Sequence, residues 1–119
     1  MAGSAKHSVL IAGGIGITPV LSMLHSLVAG GRSFEMHYSA RTDSELAFRD
    51  RIGKIAGDNV HFYVSRDPRG QRLDLGRLLS MPRPGVHVYV CGPHRMISSV
   101  REMAAALGWP PASLFSANA

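Results

Sequence analysis

Val9-Leu10-Ile11-Ala12-Gly13-Gly14-Ile15-Gly16-Ile17-Thr18-Pro19-Val20 decides how the chain is read. Residues 9–12 are an apolar run without alternation, the mark of a strand buried on both faces of a parallel sheet. Three glycines follow, then Thr18, able to cap a helix, and Pro19, which needs no amide partner in a first turn. Val20, Leu21, Leu24, Leu27 and Val28 keep helical spacing until Gly30-Gly31. Strand, glycine turn and helix in that order let the backbone come close to a ligand and aim free helix amides at a diphosphate. Pro19 stands where the common dinucleotide fingerprint has its third glycine, and the lysine of a phosphate-binding P-loop is missing. A tight turn without a ligand is the competing reading of this segment.

The same alternation continues outward. Strands are expected at 34–39, 60–65 and 86–91, with an edge strand at 114–115, and helices at 43–55, 75–79 and 93–107. Residues 66–72 are polar and basic, contain Pro68 and Gly70, and read as a loop. This pattern predicts an α/β fold: a three-layer, Rossmann-like α/β/α arrangement around a five-stranded, mostly parallel sheet. Ligands of such sheets lie beyond the carboxyl ends of the strands. Gly13 to Pro19, Ser39-Ala40-Arg41, Ser65-Arg66 and Cys91-Gly92-Pro93 all fall at those ends, with Met96 three residues further on.

With 119 residues, 45% of them hydrophobic and 18% charged, the chain fits one domain, expected over residues 8–119, and neither a disordered tail nor a fibrous repeat. Thirteen Lys plus Arg against eight Asp plus Glu give a net charge of +5, and arginine, suited to bidentate phosphate contacts, supplies most of the cations. Cys91 is the sole cysteine, which rules out an internal disulfide and any Cys-rich metal site. Read alone, Cys91 is equally a small apolar packing residue. No apolar run reaches the roughly 20 residues that span a bilayer, and a cytoplasmic location without membrane contact is expected. The six histidines show no i, i+4 pair, so no metal is expected, and Trp109 reads as a packing residue over the last helix. Nothing suggests a hydrolase.

Taken together, Gly14-Ile15-Gly16-Ile17-Thr18-Pro19 and Cys91-Gly92-Pro93 are far more specific than either alone. On these residues, on Tyr38-Ser39-Ala40-Arg41, and on Arg72-Leu73-Asp74-Leu75, the chain resembles the nucleotide-binding domain of the ferredoxin–NADP reductase superfamily. Within it the likeness is to the phthalate dioxygenase reductase and vanillate demethylase reductase type. The resemblance implies an NAD(P)H-dependent flavin oxidoreductase whose nucleotide domain presents a nicotinamide for hydride transfer to FMN or FAD. It implies that Gly13, Gly14, Ile15, Gly16, Thr18 and Pro19 follow the diphosphate and nicotinamide ribose. Cys91, with Thr18, would orient the ring without attacking anything, and Gly92, Pro93 and Met96 would shape the same wall.

Ser39 and Arg41, and Ser65, Arg66 and Arg72, would hold the adenosine end. No acid ends the 34–39 strand to favour NADH. Ser65-Arg66, with Arg69 and Arg72 following, is similar to the serine–arginine grip on the 2′-phosphate of NADPH, while Asp67 and the phthalate-type relatives favour NADH. Either cofactor is possible. The resemblance also implies a flavin-binding domain of the same protein, a ferredoxin domain with a 2Fe-2S cluster, and an oxygenase or ferredoxin as electron acceptor; neither extra domain is expected within these residues. Ser113-Leu114-Phe115-Ser116 keeps the family's aromatic residue but lacks its acid. The alternative is a stand-alone, redox-inactive module binding a nucleotide or polyanion. Nucleic acid is not the expected partner, since no recognition motif appears and aromatics do not interleave with the arginines.

Overall fold

A computed structural model of the chain describes residues 6–14, 17–46, 48–66 and 72–118. Five parallel strands, β1 (His7–Gly13), β2 (Phe34–Ala40), β3 (Val60–Val64), β4 (Val86–Gly92) and β5 (Leu114–Asn118), form a sheet in the order β3-β2-β1-β4-β5. Four α-helices connect them: α1 (Ile17–Ala29), α2 (Arg49–Ala56), α3 (Leu75–Leu78) and α4 (His94–Ala106). The architecture is the three-layer α/β fold expected, with β5 extending the short edge pairing anticipated at 114–115. Among the described residues no helix is long and apolar enough to cross a membrane.

The two faces of the sheet carry separate cores. Leu10, Ala12, Met36, Tyr38, Tyr89 and Cys91 pack with Val20, Leu24 and Leu27 of α1 and Ile52 of α2. Val9, Ile11, Val88 and Val90 pack on the other face with Ile97, Val100 and Ala104 of α4. Central strands β1 and β4 are therefore apolar on both sides, which is why their sequences show no alternation. β2 alternates, because Phe34, Met36, Tyr38 and Ala40 face the first core while Glu35, His37 and Ser39 occupy the alternate positions.

Glycine ends both long helices in the same way. Gly31, at φ +62°, lets Arg32 N–H donate to the Leu27 carbonyl and Gly31 N–H to that of Val28. Gly108, at φ +88°, does the same for Trp109 and Ala104, and for its own N–H and Ala105.

Three boundaries differ from the sequence reading. The helix expected over 43–55 is broken: a 3-10 turn covers Asp43–Glu45, and α2 starts only at Arg49. Burial of Leu46 and the left-handed backbone of Phe48 (φ 60°) turn the chain between them, an override of local helix preference by the core. Thr18 is not a cap, since α1 already begins at Ile17. Pro19 still lies in the first turn, where its missing donor costs nothing. α4 starts at His94, one residue after the expected start, with Pro93 at the cap position, and the Pro93 carbonyl accepts from Met96 and Ile97 N–H.

Trp109 is 5% exposed, and its indole N–H donates to the carbonyl of buried Leu79 at 2.9 Å, tying the segment after α4 to the end of α3. A second polar tie crosses three strands. Glu35 accepts from His7 Nε2 (3.0 Å) and His37 Nε2 (2.7 Å), while the remaining ring nitrogens, Nδ1, meet Ser33 Oγ (2.6 Å) and Tyr63 Oη (2.8 Å). The His37 hydrogen bond, against the cost of burial and with help from His7 and the histidine charges, pulls the Glu35 carboxyl down to about 2.

Trp109→Phe keeps an aromatic side chain but removes the indole N–H that donates to the Leu79 carbonyl, and is expected to cost about 1–3 kcal/mol in urea unfolding; an unchanged midpoint would show the bond to be dispensable. Because the folded Glu35 pKa is depressed, its contribution is present above the ordinary value of 4.5 and is lost as pH falls towards about 2. Glu35→Gln is thus expected to be less stable than the wild type at pH 7, with the gap between their midpoints closing across that window.

Candidate functional site

The strand order reverses between β1 and β4: the chain leaves β1 towards β2 and β3, then returns to lay β4 on the other side of β1. The loops after these two strands diverge there and open a crevice. Gly13 ends β1 and Gly92 ends β4. A Cβ on Gly92 would sit 3.3 Å from the Gly13 carbonyl oxygen and 2.9 Å from Met96 Sδ. A Cβ on Gly13 would come within 2.6 Å of both Met96 Sδ and Cε, so the thioether already fills the space between the two strand ends. Gly14 follows at φ +57°, a conformation that favours glycine, and its carbonyl accepts from Tyr38 Oη at 3.3 Å.

From this point a cavity of about 610 Å³ runs along the carboxyl ends of β1, β2 and β3 towards the start of α4. Of the residues singled out from sequence, Gly13, Gly14, Ser39, Arg41, Ser65, Arg66, Arg72, Pro93 and Met96 line it. Ser65 and Arg66 are held by main-chain bonds to Ala40 and Arg41, so the β2 and β3 ends form one rim. Sequence reasoning missed Glu45, Leu73, Arg95 and Ser99 on the same wall. Arg95 and Ser99 had a readable signal: with Met96 they occupy one helical face directly after Cys91-Gly92-Pro93. Among the described residues four arginines, Arg41, Arg66, Arg72 and Arg95, line this cavity against one acid, Glu45, a charge balance suited to an anion with more than one negative group.

Cys91 and Pro19 are not in that cavity. They line a smaller one, about 210 Å³, on the α1 face, with Met23, Tyr89, Phe115 and Ser116. Tyr89 and Phe115 stack there with centroids 4.8 Å apart. Burial pushes the Cys91 thiol up, only partly offset by a backbone hydrogen bond from Ala117, so the sulfur is a neutral packing group. Ser116, where the resemblance would put an acid, accepts a hydrogen bond from Arg101 at 2.7 Å. Gly92 ends β4 between Cys91 and Pro93 in the chain and lies beside the Gly13 backbone and Met96 Sδ. Thr18 falls in the first turn of α1, while Ile15 and Gly16 lie outside the described residues. Among the described residues no three His, Cys, Asp or Glu side chains are grouped to hold a metal ion.

Glycine strand ends flanked by a cavity with cationic side chains and by a separate apolar aromatic niche suit an elongated molecule that carries both a charged group and a flat ring. The family pattern described as an oxidoreductase NAD-binding domain matches residues 10–102. The chain is 41% identical over 115 residues to vanillate O-demethylase oxidoreductase of Pseudomonas putida, covering 96% of this chain and 36% of that protein. It is 40% identical over 109 residues to the heme-dependent oxidative N-demethylase beta subunit of Ectopseudomonas mendocina (strain ymp), covering 92% and 34% respectively. The solved structure of phthalate dioxygenase reductase, described as modular and transferring electrons from pyridine nucleotides to a 2Fe-2S centre, superposes with a TM-score of 0.85 at 34% identity. That match covers 99% of this chain and 37% of the other. The chain therefore spans about a third of the length of these relatives. Fold, glycine crevice and pattern match agree: from Leu10 to Glu102 the chain belongs to the oxidoreductase NAD-binding domain family.

Proposed function

We propose that residues 8–119 form the NAD(P)H-binding domain of a reductase that feeds electrons to an oxygenase. The observation that carries this reading is that, at one strand-order reversal, the glycine end of β1 and four arginines line the same cavity. Gly13, Gly14 and the segment through Pro19 lie along the diphosphate, close to the amino end of α1, where unpaired amides favour negative charge. Arg41, Ser65, Arg66 and Arg72 hold the adenosine end, and Ser39 borders it.

Cys91 orients the nicotinamide from the α1 side of the sheet. Its raised pKa suits packing against a ring better than nucleophilic attack. Gly92, Pro93 and Met96 shape the wall at the nicotinamide end, and Thr18, in the first turn of α1, is assigned to the ribose. When bound, the reduced pyridine supplies a hydride to an FMN or FAD held by a flavin-binding domain of the same protein. The names of the relatives, vanillate O-demethylase oxidoreductase and phthalate dioxygenase reductase among them, support an oxygenase component as the eventual acceptor, through a ferredoxin-type 2Fe-2S centre.

Calorimetric titration with NADH and NADPH tests the assignment. The wild-type chain is expected to bind at least one of them, and Arg41→Ala together with Arg66→Ala to weaken that binding by at least about tenfold, roughly the worth of one charge-assisted hydrogen bond. Far-UV circular dichroism should be unaltered, since both side chains are at exposed loop positions. Undiminished affinity in the double variant would remove the cavity from the nucleotide site. Binding of a short oligonucleotide that vanishes with salt, with no response to either dinucleotide, would favour a polyanion module instead.

A further inference from the structure

A second polar cavity, about 710 Å³, lies between the outer strands and α3 and shares Arg72 and Leu73 with the first. Its polar lining is His37, His61, Tyr63, Arg72, Asp74 and Arg77. None of the residues assigned above to the nicotinamide end reaches it, and the hydrogen-bonded chain His7–Glu35–His37–Tyr63 ends on its wall. His61 lies flat against His37, with centroids 5.2 Å apart and planes inclined by 16°.

Glu35 is ionised above pH 4.5 and can only accept, so both imidazoles donate to it through Nε2. In a neutral His37 that leaves Nδ1 as an acceptor, and Tyr63 Oη must donate to it. A proton taken up by His37 makes Nδ1 a donor as well. Tyr63 then has to accept, and its own O–H is released to an acceptor in the cavity it lines. Tyr63 keeps its proton throughout, because burial and the Glu35 charge both raise its pKa. One carboxylate balances one imidazolium, so protonation of both His7 and His37 leaves the cluster net positive. The remaining charged groups at this cavity are His61 on β3 and Arg72, Asp74 and Arg77 on the segment leading into and through α3; the Asp74 carboxylate is engaged by the Arg77 backbone N–H at 3.1 Å.

We propose that this cavity is a subsite for a tetrahedral dianion, a phosphate group, and that proton uptake by the His7–Glu35–His37–Tyr63 chain tightens its grip. Arg72 and Arg77 supply fixed positive charge, while the Tyr63 hydroxyl changes from acceptor to donor with pH. By linkage the anion and the proton favour each other's binding. The phosphate can be free, or it can be carried on the ribose of the dinucleotide that enters the neighbouring cavity; only the second source rests on the function proposed above.

Sulfate, dianionic at every pH used, is the probe. Titrated into the 119-residue chain at pH 8.5 and pH 5.5, it is expected to bind roughly tenfold more tightly at the lower pH. Tyr63→Phe should abolish that increase, and Arg77→Ala should weaken sulfate at both pH values. A wild type indifferent to pH, a Tyr63→Phe variant that keeps the increase, or an Arg77→Ala variant with full affinity would each overturn the proposal. Parallel titrations with NADPH and NADH identify the source. A Tyr63→Phe effect on NADPH alone assigns the subsite to the dinucleotide's 2′-phosphate, and equal behaviour of the two, with sulfate still pH-dependent, assigns it to free phosphate. Failure of the wild type to bind either dinucleotide would count against the proposed function and leave the sulfate comparison to decide the subsite.

Discussion

The whole arrangement depends on how closely the ends of β1 and β4 approach. Adjacent parallel strands hold their backbones at nearly fixed spacing, so the room at their ends is decided by what the last residue carries. Gly13 and Gly92 carry nothing, and Met96 Sδ lies where either would have placed a Cβ. Any larger residue at either position must displace that sulfur or the Gly13 carbonyl. The close packing of Met96 against the two strand ends thus depends on two missing side chains as much as on the topology that brings the strands together.

Burial on the two sides of the sheet then divides the labour. β1 and β4 are sealed between α1 and α4 and form the rigid axis. β2 and β3 are sealed on the α1 and α2 side only; their other side carries Glu35, His37, His61 and Tyr63. Polar groups there are tolerated because they satisfy one another, each imidazole nitrogen of His7 and His37 having a partner. A face that needs no apolar cover is free to border cavities, and both polar cavities lie on it.

The sequence made the alternation of strands and helices readable because each strand pairs a period-two or continuous apolar run with a glycine or proline boundary. Strand existence, the mostly parallel sheet and the location of the site beyond the strands' carboxyl ends follow from those signals. The break between Asp43–Glu45 and α2 was not readable, because Leu46 enters the core through long-range packing and Phe48 adopts φ 60° with no glycine to announce it. Most of the adenosine-side residues were legible from their positions after strands. The separation of Cys91 from the arginine-lined cavity was not, since chain order says that Cys91 and Pro93 are close but not that β4 ends between them and that the two residues line different cavities. The cross-strand tie through Glu35 was equally hidden: His7, Glu35 and Tyr63 meet only once register is set.

Met96 gives the crevice an unusual mechanical property. The Gly13 backbone beside it yields little, whereas an unbranched thioether can rotate about several bonds at small cost. The gap therefore has a built-in compliant spacer: its width can adjust by side-chain rotation alone, and the sheet need not shift to admit molecules of slightly different thickness.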